Sequence, residues 1–203
     1  MDDAFDRLLS RPEIARLARS LRERPGTQLA LDDPMRRAAV ALIIREAADG
    51  PAVLMIQRAT FAGDPWSGQI ALPGGRRETG DASLEDTAVR ETREETGVDL
   101  AAHGRILGRL DELQPSTPVL PAIAIAPYVA LYDGDARLTL SAEVHDAFWV
   151  PMAELADAAN WSDVELEIRG ARRTFPAFRH GEHVVWGLTE RILRQFRARL
   201  AAT

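Results

Sequence analysis

Between Gly74 and Val98 the chain reads GGRRETGDASLEDTAVRETREETGV, and no other stretch limits the fold as much. Inside a helix each glycine costs roughly 1 kcal/mol relative to alanine, so the backbone at Gly74 and Gly75 is expected to turn or lie open. From Asp81 to Thr96 neither glycine nor proline intervenes and helix formers dominate. Asp81 or Ser83 can cap that helix, Ser83 with Asp86 has capping-box spacing, and Gly97 is placed to stop it. An open glycine loop running into a capped helix is therefore predicted.

On an ideal helix turning about 100° per residue, with Leu84 at the origin, Glu91 falls near about −20°, Glu95 near about +20° and Glu94 near about −80°. The three carboxylates share one side. Like charges at i, i+3 and i, i+4 cost about 0.2–0.5 kcal/mol per pair and raise one another's pKa unless a cation intervenes. RETREE also suits an exposed, salt-bridged surface helix. A divalent cation gives the cluster a chemical reason: oxygen-only ligands select Mg²⁺, with Mn²⁺ as a substitute, and Mg²⁺ completes its shell with water and phosphate oxygens. The uncovered backbone of the glycine pair lets a carbonyl turn toward such an ion, and the helix N-terminus beyond it favours anions. Arg90, four residues before Glu94, can hold that carboxylate.

Composition removes competing chemistries. The chain of 203 residues has no cysteine, which excludes disulfides, thiolate metal sites and cysteine nucleophiles. It has no lysine either, so Walker A loops, Schiff bases and phosphate-binding lysines are excluded. With a formal charge of −6 and dispersed arginines, a nucleic-acid partner is not expected. Val119 to Tyr132, the longest mainly apolar run, is interrupted by Pro121 and Pro127 and is too short for a membrane span. The acidic start MDDAFDRLL is unlike a signal peptide, so the expected location is cytoplasmic.

One domain is expected over residues 1–203, with an N-terminal helical extension at about 1–25 and a C-terminal helix at about 186–200. Ile14, Leu17, Ala18 and Leu21 recur at helical spacing; AAVALII and VLMIQR read as strands, as do Arg105 to Leu110, Ile123 to Leu131, Phe148 to Val150 and Thr174 to Phe178. PMAELADAA reads as a short helix, and Trp149 and Trp186 as core. Without regular βα alternation, the expected class is α/β with a mixed sheet. The histidines offer no ligand spacing beyond His180 and His183.

Gly75, Arg90, Glu91, Glu94, Glu95 and Gly97 resemble the Nudix box, G-x5-E-x7-R-E-U-x-E-E-x-G-U. RETREETGV follows its second half except at Thr92, where a bulky aliphatic is usual. The first half carries one extra residue, and Glu78 or Asp81 stands in for the isolated first glutamate. The resemblance implies a Nudix-type α/β/α sandwich and hydrolysis of a diphosphate linked to another moiety. It implies metal ligands in the Gly75 carbonyl, Glu91, Glu94 and Glu95, with Arg90 orienting the glutamates. Glu143, in SAEVHDAFWVP, is similar to the glutamate beyond the box, leaving the general base open among Glu91, Glu94 and Glu143.

GQIALPGG and VVWGLTERIL further resemble the coenzyme A diphosphatase branch, although Leu72 replaces its aromatic and Asp64 stands where that branch has arginine. Implied products are 3′,5′-ADP and 4′-phosphopantetheine. The expected substrate contacts are Arg58, Arg76 and Arg77, with Trp66 stacking on the base. ADP-ribose, dinucleoside polyphosphates or oxidised nucleotides are the alternative substrates, and a non-catalytic sensor is a further class. Homodimerisation is a family expectation only.

Overall fold

Buried strands of branched residues need cover on both faces, and they receive it. The computed structural model describes residues 2–30, 36–63, 66–115, 123–168 and 170–201. After α1 (Asp2–Ser10) and α2 (Pro12–Glu23), the hydrophobic run becomes β1 (Arg37–Ala47), which turns back into β2 (Gly50–Arg58). Next come β3 (Ile70–Ala71), β4 (Gly74–Arg76), α3 (Leu84–Thr96), α4 (Leu100–His103), β5 (Gly104–Arg109), β6 (Ala124–Tyr132) and β7 (Val144–Pro151). These seven strands form one mixed sheet: β1 runs parallel to β6, and the other pairings are antiparallel.

Period-two alternation sends neighbouring residues of β1 to opposite faces. Leu42 and Ile44 pack with Ile14, Leu17 and Leu21 of α2 on one side. Ala39, Ala41 and Ile43 pack with Leu84 and Ala88 of α3 on the other. The result is the expected α/β/α sandwich. The chain finishes with α5 (Met152–Ala156), a second sheet of β8 (Trp161–Ile168), β9 (Ala171–His180) and β10 (His183–Trp186), and α6 (Gly187–Ala201), whose Ile192, Leu193 and Phe196 join the α2 side.

β2 pairs with β1 only through its first residues, Gly50 to Val53, and with β3 through Ile56 and Gln57. β4 meanwhile pairs with the beginning of β1, Ala38 to Val40. β1 and β2 thus diverge, and the glycine pair sits between them inside the sheet. The expectation of a glycine loop is corrected: Gly74 and Gly75 form a strand because β1 supplies pairing partners that local propensity does not announce. Three other features differ from expectation. The N-terminal helix is two helices, separated where Pro12 starts α2. β8 and β10 were not anticipated. Trp149 and Trp186 are only partly buried; Arg45 lies 5.2 Å from the Trp149 ring, and Trp186 packs 5.1 Å from Phe175.

Candidate active site

α3 begins where its sequence says it should. The Ser83 hydroxyl accepts from the Asp86 N–H, and Gly97 ends the helix at φ 74°, donating its N–H to the Arg93 carbonyl. With the ends fixed, Arg90 becomes the hub of the loop and helix. Its guanidinium donates through Nε and Nη2 to both oxygens of buried Asp81 (2.9 and 3.0 Å), and through Nη1 to Glu91 and Glu94 (3.0 Å each). Nη2 also donates to the Arg76 carbonyl (3.1 Å). Of the two stand-ins for the missing glutamate, Asp81 takes the place inside; it also accepts from the Glu78 N–H and the Thr87 hydroxyl, while Glu78 is exposed. Bonding to Arg90 holds the Asp81 carboxyl well below the usual range, and Asp81 in turn raises the Arg90 pKa.

The glycines make room for the glutamates. A Cβ on Gly75 would fall onto the Glu91 carboxylate, so a larger residue there would push that side chain out of its place. Gly74, at φ 150°, donates its N–H to Glu95 Oε2 at 2.8 Å. On either side, Arg77 N–H bonds to the Arg37 carbonyl and Ala41 N–H to the Pro73 carbonyl. Antiparallel bonding alternates along a strand, which commits the peptide of Gly75, opposite Ala39, to β1. The peptide of Gly74, rather than that of Gly75, therefore faces the carboxylates. Burial pushes Glu95 up to about 7, opposed by the Gly74 bond and reinforced by Glu91. Glu91, half-buried, is also raised, chiefly by burial and against the pull of Arg90.

These groups line a cavity of about 460 Å³, within the size range of small-molecule sites. Gly74, Gly75, Arg90, Glu91, Glu94 and Glu95 meet there with Arg58, Trp66, Arg76 and Glu143. Glu143 arrives from a different element. Thr139 and Ser141 donate their N–H groups to the Thr96 and Glu95 carbonyls, and Ala59 N–H donates to the Glu143 carbonyl, strapping this segment to α3 and β2. Arg77 is not among the lining residues: its guanidinium donates to the Asp81 and Ala82 carbonyls and so braces the loop instead. Asp64 lies outside the described residues. His180 Nδ1 meets Glu154 at 2.7 Å and His183 stacks on Phe148, away from the lining.

Sequence reasoning did not find the aliphatic part of the lining, which includes Ile123 just before β6, Ile125 of β6, and Leu188, Thr189 and Ile192 of α6. Its signal was VVWGLTERIL, whose place in the site only the folded chain reveals.

The donor set matches a hard divalent cation: all oxygen, with the pKa of Glu91 raised in part by Glu94 and Glu143, and that of Glu95 in part by Glu91 and Glu143. Among the described residues no three acidic or imidazole side chains converge as a finished cage, since Glu91 and Glu94 lie on Arg90 and Glu95 on Gly74. Glu94 is the most exposed of the three, so its side chain is the freest to turn toward an ion.

A profile of the NUDIX domain matches residues 35–168. The chain is 36% identical over 167 residues to an uncharacterised Schizosaccharomyces pombe protein, covering 71% of this chain and 50% of that one, so it spans about half the length of that relative. It is 31% identical over 169 residues to the mitochondrial coenzyme A diphosphatase NUDT8 of Homo sapiens, covering 81% of this chain and 69% of the human protein. A MutT/nudix family protein from Enterococcus faecalis has a similar fold, with TM-score 0.54 and 22% identity over 85% of this chain and 64% of that chain. The chain belongs to the Nudix family.

Proposed function

We propose that the protein is a Mg²⁺-dependent diphosphatase that cleaves coenzyme A to 3′,5′-ADP and 4′-phosphopantetheine. The observation that carries the reading is the convergence of Glu91, Glu94, Glu95 and Glu143 with Arg58 and Arg76 around the glycine pair in one cavity. Support for coenzyme A within the family comes from GQIALPGG and VVWGLTERIL, and from the similarity to the human coenzyme A diphosphatase.

Glu91, Glu94 and Glu95, with a main-chain carbonyl of the glycine pair, would hold the cation, and Mn²⁺ would fit the same donors. When bound, such an ion neutralises diphosphate charge and lowers the pKa of water. Arg90 keeps Glu91 and Glu94 side by side, while Glu95 fixes Gly74 so that the diphosphate can approach the uncovered strand. Arg58 and Arg76 supply positive charge to the phosphate oxygens. Glu143 has no side-chain bond among the described residues and is the carboxylate we assign to accept the proton of the attacking water. Water attacks one phosphorus in line, the bridging P–O bond breaks, and no covalent enzyme intermediate is required.

The test is a hydrolysis panel in Mg²⁺ with coenzyme A, ADP-ribose, NADH, diadenosine polyphosphates and 8-oxo-dGTP, with products separated by chromatography. Preference for coenzyme A with release of 3′,5′-ADP supports the reading. Preference for another substrate overturns the coenzyme A assignment.

A further inference from the structure

The cavity has two faces of different chemistry. Glu91, Glu94 and Glu95 stand on α3, which packs against Ala39 and Ala41 on one side of the sheet. Ile70, Leu72 and Ile192 belong to the hydrophobic cluster of the opposite side, Val40 and Leu188 pack against it, and all five line the same cavity. A cavity touching both layers must cross the sheet, and it does so at the glycine pair, where β1 and β2 diverge. Gly74 pairs with Val40 and Gly75 with Ala39, so the two glycines lie at the boundary between the aliphatic and acidic faces.

Among the described residues the aliphatic face contains no aromatic ring, and Trp66 is the one aromatic in the lining. Flat bases gain most from aromatic surfaces, whereas a flexible chain of methylenes and methyls gains from Ile and Leu. Thr189 adds a hydroxyl in the first turn of α6, a donor and acceptor suited to an amide. α6 also lies beyond residues 35–168, so this wall is built from chain outside the matched family domain.

We infer that Leu188, Thr189 and Ile192 form a specificity subsite for the aliphatic, amide-containing arm of the substrate, with the diphosphate over Gly74–Gly75 and the nucleoside toward Trp66. This inference rests on the coenzyme A reading, in which that arm is pantetheine. The subsite discriminates by binding the arm and makes no contact with the reacting phosphorus.

The experiment compares kcat/KM for coenzyme A with that for an armless substrate, the methyl ester of 3′-phosphoadenosine 5′-diphosphate, in wild type, Thr189→Tyr and Leu188→Ala. Thermal melts followed by circular dichroism establish that each variant is folded. Filling the subsite with Thr189→Tyr should lower the ratio of the two kcat/KM values at least about tenfold, expressed mainly in KM for coenzyme A. Leu188→Ala should lower it about threefold, and decides the matter if the tyrosine variant does not fold. An unchanged ratio in a folded variant overturns the subsite and leaves the coenzyme A reading standing. A wild type that cleaves other diphosphates but not coenzyme A overturns both.

Discussion

Arg90 joins the loop before α3 to the carboxylates on it, because one planar guanidinium can reach two oxygens of Asp81 and still bridge Glu91 and Glu94. Lysine cannot reproduce that fork. Arg90→Lys should therefore lower kcat by at least about tenfold, checked by steady-state kinetics on a folded variant. Thr92 presents the opposite case. It occupies the position where an aliphatic residue is usual, it is fully buried, and its hydroxyl has no hydrogen-bond partner among the described residues. An unsatisfied buried hydroxyl costs about 1–3 kcal/mol, so Thr92→Val should stabilise the fold by about 1 kcal/mol in urea unfolding, with activity retained. A destabilised valine variant would show that the hydroxyl has a partner in solution.

At the scale of elements, α3 was legible because its cap, its stop and its charge spacing are all local. β4 was not, since GGR has no strand propensity and becomes a strand only because β1 offers a free edge. β8 does alternate, with Val164 and Leu166 each between acidic residues, but its long pairing with β9 is a tertiary feature. Glu143 was legible as a candidate from its context, whereas its bonds to the α3 end and β2 depend on tertiary structure. The α6 wall needed the sheet to be in place before its neighbours in the cavity could be named.

Asp81 and Arg90 also set a pH dependence for the loop that connects β4 to α3. The folded-state pKa of Asp81 is depressed, so its stabilisation is fully present above the unfolded value of about 4 and is lost as pH falls through the folded value. Wild type should lose stability on acidification below about pH 4, and Asp81→Asn should show a smaller loss over that window. Near neutral pH the same substitution leaves Arg90 without its main partner and should cost about 3 kcal/mol. Urea unfolding midpoints across pH measure both effects.

The whole molecule places acidic and aliphatic faces on opposite layers of one sandwich and opens the sheet between them at two glycines. Such a site can act on a diphosphate whose two ends differ in chemistry, and coenzyme A has that character. Proton acceptance by Glu143 predicts that Glu143→Gln lowers kcat by about 10²-fold with a smaller change in KM, measured on coenzyme A in saturating Mg²⁺. The most direct measurement is release of 3′,5′-ADP from coenzyme A in Mg²⁺ by wild type and by Glu94→Gln, on preparations with matched thermal melts. Stoichiometric 3′,5′-ADP and 4′-phosphopantetheine from wild type, with release at least about 10²-fold slower from the variant, is the predicted result. Equal release by both proteins, or none by wild type, would contradict it.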